Sequence, residues 1–195
     1  MCIRDRLETL SVTAVGPQLG ANSFEQSVNA GQIGILLVFI FMIFYYRIPG
    51  LVADITLVLY LTLTLFALAA MKATLTLPGI AGLVLSVGMA VDANVVIYER
   101  IKDELQLGKT LRASIESGFR RAFLTIFDSN LTTIIACVIL FYFGSGPIRG
   151  FAVTLIVGVI ISMFTAITIT KIMLKLLTSG GILKSMRYFG ERGVK

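Results

Sequence analysis

The chain has 195 residues, 56% of them hydrophobic and only 14% charged, with a net charge of +6 and a mean hydropathy of +0.91. That balance is too apolar for an ordinary soluble domain and matches a membrane protein that crosses the bilayer several times. The absence of His and the presence of only two Cys exclude a His-based or Cys-rich zinc site and a Ser-His-Asp triad, and no cofactor or metal is expected.

In chain order, Met1–Arg6 (MCIRDR) is charged and leads into strand-like LETLSVTAV, with no apolar core of a signal peptide behind it. Residues 1–6 read as a non-native lead-in, and 1–27 as the remnant of an extracytoplasmic domain. A bilayer core of about 30 Å needs about 20 apolar residues in a helix. Five stretches meet that need: 28–46, 51–71, 78–98, 122–143 and 151–177, the last long enough to tilt or continue into water. The sequence thus predicts an all-α, polytopic bundle of five transmembrane helices over 28–177, with a tail at 178–195. YRIPG (46–50) and GSGPIRG (144–150) carry Pro and Gly breakers, and Pro78 suits a first helical turn.

The link at 99–121 is the long one. Leu111, Ile115, Phe119 and Phe123 recur every four residues, which predicts a helix with one apolar stripe. It is expected to lie along the membrane surface and run into the fourth span; a packing face and a docking surface are both open readings of the stripe. LGKT (107–110) lacks the upstream Gly of a phosphate-binding loop, since Asp103 stands there, so nucleotide binding is rejected.

Seventeen basic residues flank the apolar runs, and thirteen of them fall on one side: Arg47, the long link and the segment from Lys171 onward. The positive-inside rule then puts the long link and the C-terminus in the cytoplasm and the N-terminal stretch outside. Topology accounts for the charge, and no basic, aromatic-rich signature of nucleic-acid binding accompanies it. Cys2 and Cys137 read as free thiols.

Three acids interrupt the spans. Asp54 lies three residues past Leu51 and reads as a group that reaches water or caps its helix. Asp92 lies seven residues before Glu99, and Asp128 seven residues after Arg121. At 1.5 Å per residue, both sit about 10 Å inside the same face on antiparallel helices. Each is followed two residues later by an amide, Asn94 and Asn130, and Thr132 and Thr133 come one turn further in. Asn and Thr can hydrogen-bond a carboxylate or hold water beside it. An ionised carboxylate at mid-membrane costs roughly 2.5–3.5 kcal/mol on insertion scales, so an acid there can gain and lose a proton as water access changes. That makes Asp92, Asp128, Asn94, Asn130, Thr132 and Thr133 candidates for a proton relay. A neutral acid that glues helices together is the other reading, and for Asp128 the two readings stand level. Gly82, Ser86 and Ala90 recur every four residues as a small-residue packing stripe, with Gly88 one turn before Asp92.

At these residues the chain resembles the SecD branch of the SecD/SecF family, within the resistance-nodulation-division superfamily. TLPGIAGLVLSVGMAVDANVVIYERIKDEL (76–105) resembles that family's fourth span, GFRRAFLTIFDSNLTTIIA (118–136) its fifth and GSGPIRGFAVTLIVGVIISMFTAI (144–167) its sixth. VGPQLG (15–20) resembles the end of its extracytoplasmic domain. The resemblance implies a fragment holding spans two to six of six, in the bacterial inner membrane. It implies a subunit, not an enzyme, that uses the proton gradient to assist export of unfolded polypeptides with SecF and the SecYEG translocon. It also implies that Asp92 is the family's proton-linked acid and that Asp128 and Asn130 are its fifth-span polar residues. The tail from Thr178 fits the family poorly. A proton-driven exporter of small molecules or lipids from the same superfamily is the alternative. An intramembrane aspartyl protease is a third class, but its Tyr-Asp and Gly-x-Gly-Asp signatures do not fit the residues before Asp92 and Asp128.

Overall fold

The structure, a computed structural model, describes residues 17–73 and 76–179. Helix α1 spans Pro17–Ala70, α2 Leu77–Gln106, α3 Leu111–Phe143 and α4 Gly146–Phe164. A π-helical turn, Thr165–Ile169, joins α4 to α5 at Thr170–Ser179. The expected strand-like stretch at 7–15 and most of the tail lie outside the described residues.

Where five separate helices were expected, the described residues form four long apolar helical runs. The first carries two of the predicted spans. Its backbone breaks at Arg47, at φ 51° and ψ −114°, two residues before Pro49. Pro49 has no N–H to donate and its ring crowds the preceding turn, so the helix cannot pass straight through. At Gly50 a Cβ would stand 2.0 Å from the Met42 carbonyl oxygen, which leaves room for glycine alone. Ile35, Val38 and Phe39 pack with Leu57 and Tyr60, so the two limbs of α1 double back on each other. Helix α1 also begins at Pro17, well before the predicted span start at Val28.

Helix α2 opens with the Thr76 side chain accepting from the Gly79 N–H at 3.2 Å, and Pro78 lies in its first turn. Its 30 residues measure about 45 Å, longer than the hydrocarbon core, so its last turns project beyond it. Leu107–Thr110 then reverses the chain, with Gly108 at φ 79°. The predicted amphipathic link is therefore no surface helix. Residues 99–106 extend α2 and 111–121 extend α3, and one continuous helix axis cannot both lie flat and cross the bilayer. Ile115 and Phe119 are buried in the core with Ile101, Leu105 and Leu174, while Phe123 is exposed.

The last predicted span also differs from expectation. It begins at Gly146 and is interrupted at Thr165, whose hydroxyl donates to the Ile161 and Ser162 carbonyls where the π turn starts. Outward-facing apolar side chains such as Phe44, Phe66 and Leu124 are exposed, as a bundle surrounded by hydrocarbon requires. Cys137 is a buried free thiol.

Candidate functional site in the cleft between α2 and α3

Successive residues on a helix are 100° apart, so two positions separate Asp92 from Asn94 by about 200°. The two side chains therefore serve opposite faces of α2. On one face, a cleft of about 280 Å³ opens between α2 and α3. It is lined by Met89, Asp92, Ala93 and Val96 on α2 and by Thr125, Ile126, Ser129, Asn130 and Thr133 on α3. Asp92 is exposed in the chain by itself. Asn130 is buried, and its Nδ2 donates to the Ile126 carbonyl at 2.7 Å. Ser129 donates to the Ile126 carbonyl at 3.1 Å and Thr133 to the Ser129 carbonyl at 3.2 Å. With their protons turned onto their own helix, these hydroxyls offer oxygen lone pairs outward. The wall opposite Asp92 is thus rich in acceptors, which suits a protonated carboxyl or a water molecule as donor.

The structure brings together Asp92, Asn130 and Thr133 but not the rest of the expected relay. Asp128 is exposed and does not line the cleft, so the two acids do not share it. Thr132 is exposed too, and donates back to the Asp128 carbonyl at 3.0 Å.

Asn94 belongs to a second polar cluster, buried on the far side of α2. Its Nδ2 donates to the Ala90 carbonyl at 3.2 Å, and its Oδ1 accepts from the Thr170 hydroxyl at 2.9 Å. Thr170 lies 3.4 Å from the hydroxyl of Thr56, and all three residues are buried. The wider π turn just before Thr170 changes the register of everything after it, and this sets the Thr170 side chain against Asn94. Neither Thr56 nor Thr170 stands out in the sequence, because each falls in an apolar run with no spacing pattern of its own.

Asp54 departs from the expectation that it reaches water. It is 7% exposed, and neither carboxylate oxygen has a hydrogen-bond partner among the described residues; the buried Tyr98 hydroxyl has none either. The reason is the fold-back at Arg47, which turns this face of α1 into the core with Val52, Ala53 and Tyr98.

The packing stripe runs along α2 against α4. At Gly82 a Cβ would meet the Thr154 hydroxyl at 2.7 Å, and at Gly158 of α4 one would meet Ser86 at 2.6 Å. Ser86 is fully buried, accepts from the Tyr60 hydroxyl at 2.7 Å and donates to the Leu83 carbonyl at 2.7 Å. Ala90 is buried with Leu57, Tyr60 and Val87. Gly88 is a correction: two residues from Ser86 it lies off the stripe, with nothing within 4 Å of its Cβ position.

Beyond the spans, at the end of α2, the fully buried Glu104 carboxylate takes a short hydrogen bond from Lys109 and stands 2.9 Å from Arg121 Nη1. The Lys109 hydrogen bond, helped by Ser117 and the charge of Arg121, holds its carboxyl below the usual carboxylate range although burial opposes the shift.

Comparison with known proteins places the sequence and the fold in a family. The family model described as "Protein export membrane protein SecD/SecF, C-terminal" matches residues 3–179. The protein translocase subunit SecD of Acidaminococcus fermentans is 54% identical over 96% of this chain and 45% of its own length. The SecD of Synechocystis is 55% identical over 86% of this chain and 36% of its own length. The crystal structure of SecDF from Thermus thermophilus superposes with a TM-score of 0.84 at 44% identity, covering 86% of this chain and 24% of that one. The chain spans less than half the length of these relatives. The match over nearly all the described helices shows that this chain belongs to the SecD/SecF family of protein export membrane proteins.

Proposed function

We propose that the chain works inside a bacterial protein-export machine, where Asp92 takes up and releases the protons that drive the cycle. The observation that carries this reading is the α2–α3 cleft. It sets one carboxyl among the acceptor oxygens of Ser129, Asn130 and Thr133 within otherwise apolar helices. An ionised acid is costly in that setting and a protonated one is not, so gain or loss of one proton changes how closely α2 and α3 pack. One charge crossing 100 mV of membrane potential supplies roughly 2.3 kcal/mol, enough to shift an equilibrium between two poses. The names of the relatives, a protein translocase subunit and a translocon-associated membrane protein, support a place in protein translocation; the proposal adds the inner membrane, SecF and the SecYEG channel as partners, and unfolded exported chains as cargo. The basic ends of α2 and α3 at 99–121 and the C-terminus face the cytoplasm in this reading.

The test uses the complete subunit assembled with its partners in inverted membrane vesicles. Asp92→Asn is expected to assemble normally and to lose the proton-dependent stimulation of export. Asp128→Asn is expected to lose much less, because Asp128 stands outside the cleft. Wild-type stimulation in Asp92→Asn would refute the assignment.

A further inference from the structure

The basic end of the bundle carries a groove that the proton reading does not use. It lies on the outer side of the molecule, between α3 and the junction of the π turn with α5, and measures about 410 Å³. Six residues line it: Glu116, Phe119, Arg120, Phe123, Ile167 and Lys171. Their order along the two helices is the informative feature. Arg120 and Lys171 stand at the end of the bundle. Phe123, three residues on from Arg120, and Ile167, four residues back from Lys171, stand about one turn deeper among the apolar spans.

The two cations are available. Neither has a carboxylate within 4.0 Å among the described residues. Lys171 Nζ sits 5.8 Å above the centre of the Phe119 ring, which holds the ammonium at the groove. Glu116 also lines the groove, with its carboxylate 4.0 Å from Lys175 of α5, so the lining carries two cations against one acid. Below the cations, Phe123 stacks on Phe127 at 6.0 Å and both are exposed, which continues the apolar track deeper.

We propose that this groove binds one anionic phospholipid, with its phosphate between Arg120 and Lys171 and an acyl chain along Phe123, Phe127 and Ile167. Basic pockets between transmembrane helices recognise anionic headgroups in this manner. The cationic rim selects a net negative headgroup over a zwitterionic one. The apolar wall one turn below it selects a lipid over a free phosphate ion, which has nothing to place there. The site is independent of Asp92, which lies on the α2–α3 cleft.

The experiment uses the complete subunit in nanodiscs of phosphatidylcholine with roughly one lipid in ten replaced by phosphatidylglycerol, the retained lipid being counted by native mass spectrometry. Wild type is expected to keep one phosphatidylglycerol per chain. Arg120→Gln with Lys171→Gln should lower that retention about tenfold or more, and the exposed single variant Arg120→Gln about fivefold, as the attraction of each basic residue to an anionic surface predicts. Arg100→Gln with Lys102→Gln removes the same charge from the same end and should leave retention unchanged. Equal retention in wild type and the groove variants would overturn the proposal, as would an equal loss in the Arg100 and Lys102 control. Displacement of the lipid by millimolar inorganic phosphate would overturn it too, by showing a site for the bare anion.

Discussion

Helix α2 packs against α4 on one side and α3 on another, and the two contacts are built differently. Against α4, glycines at 82 and 158 bring the helices to backbone distance, and every polar group named there is paired: Tyr60 to Ser86, Ser86 to the Leu83 carbonyl, Thr154 to the Gly150 and Phe151 carbonyls. Against α3, the backbones come closest near the basic end, where a Cβ on Gly118 would meet the Ile101 backbone at 2.9 Å. Deeper in, they part around Asp92. In a membrane, where hydrocarbon gives helices no hydrophobic reason to associate, close packing and hydrogen bonds are what fix a pair. The α4 side is therefore the fixed reference, and the α3 side is where a change of charge can alter spacing.

Breaking the fixed side should have the largest effect on folding. Gly158→Leu drives a side chain into Ser86 and the Tyr60 hydroxyl, and is expected to cost about 1–3 kcal/mol, read as a lower unfolding midpoint in detergent. Next, Ser86→Ala leaves the buried Tyr60 hydroxyl without its acceptor and should cost about 1 kcal/mol in the same assay.

The basic end of the α3 contact predicts an acid-sensitive latch. The Glu104 carboxyl is held below its ordinary value of 4.5, so its contribution to stability is present above that pH. It is lost as the pH falls through the lower folded value. Hydrogen-exchange protection across residues 104–121, taken relative to the intrinsic exchange rate at each pH, should therefore fall in acid. In Glu104→Gln the protection should be lower at neutral pH and show no acid step. The smallest effect is expected at Gly88. With open space at its Cβ position, Gly88→Ala should cause no loss and add up to about 1 kcal/mol of helix stability. A cost like that of Gly158→Leu would mean that Gly88 belongs to a close contact after all.

The spans were legible in the sequence because hydropathy over about 20 residues is a sum that single side chains hardly alter. The stripe at 82, 86 and 90 was legible because helical period maps directly onto one face. Asp92 drew attention for its cost in lipid, and it does line a cleft. What the spacing could not supply was direction around the helix axis relative to neighbours. Asp92–Asn94 and Asp128–Asn130 look like repeated units, yet in each pair the two side chains diverge, and the cleft takes Asp92 from one pair and Asn130 from the other. Asp54, near a span's start, reads from sequence as close to water, whereas the fold-back at Arg47 buries it. The Thr170–Asn94 contact depends on the π turn, whose extra residue leaves no mark in composition.

Proton uptake by the complete subunit, reconstituted with its partners in sealed vesicles under an imposed gradient, tests the central claim most directly. Wild type should carry protons and Asp92→Asn should carry none above the lipid background, while Gly88→Ala, one turn away on the same helix, should match wild type. Equal proton movement in Asp92→Asn and wild type would contradict the account.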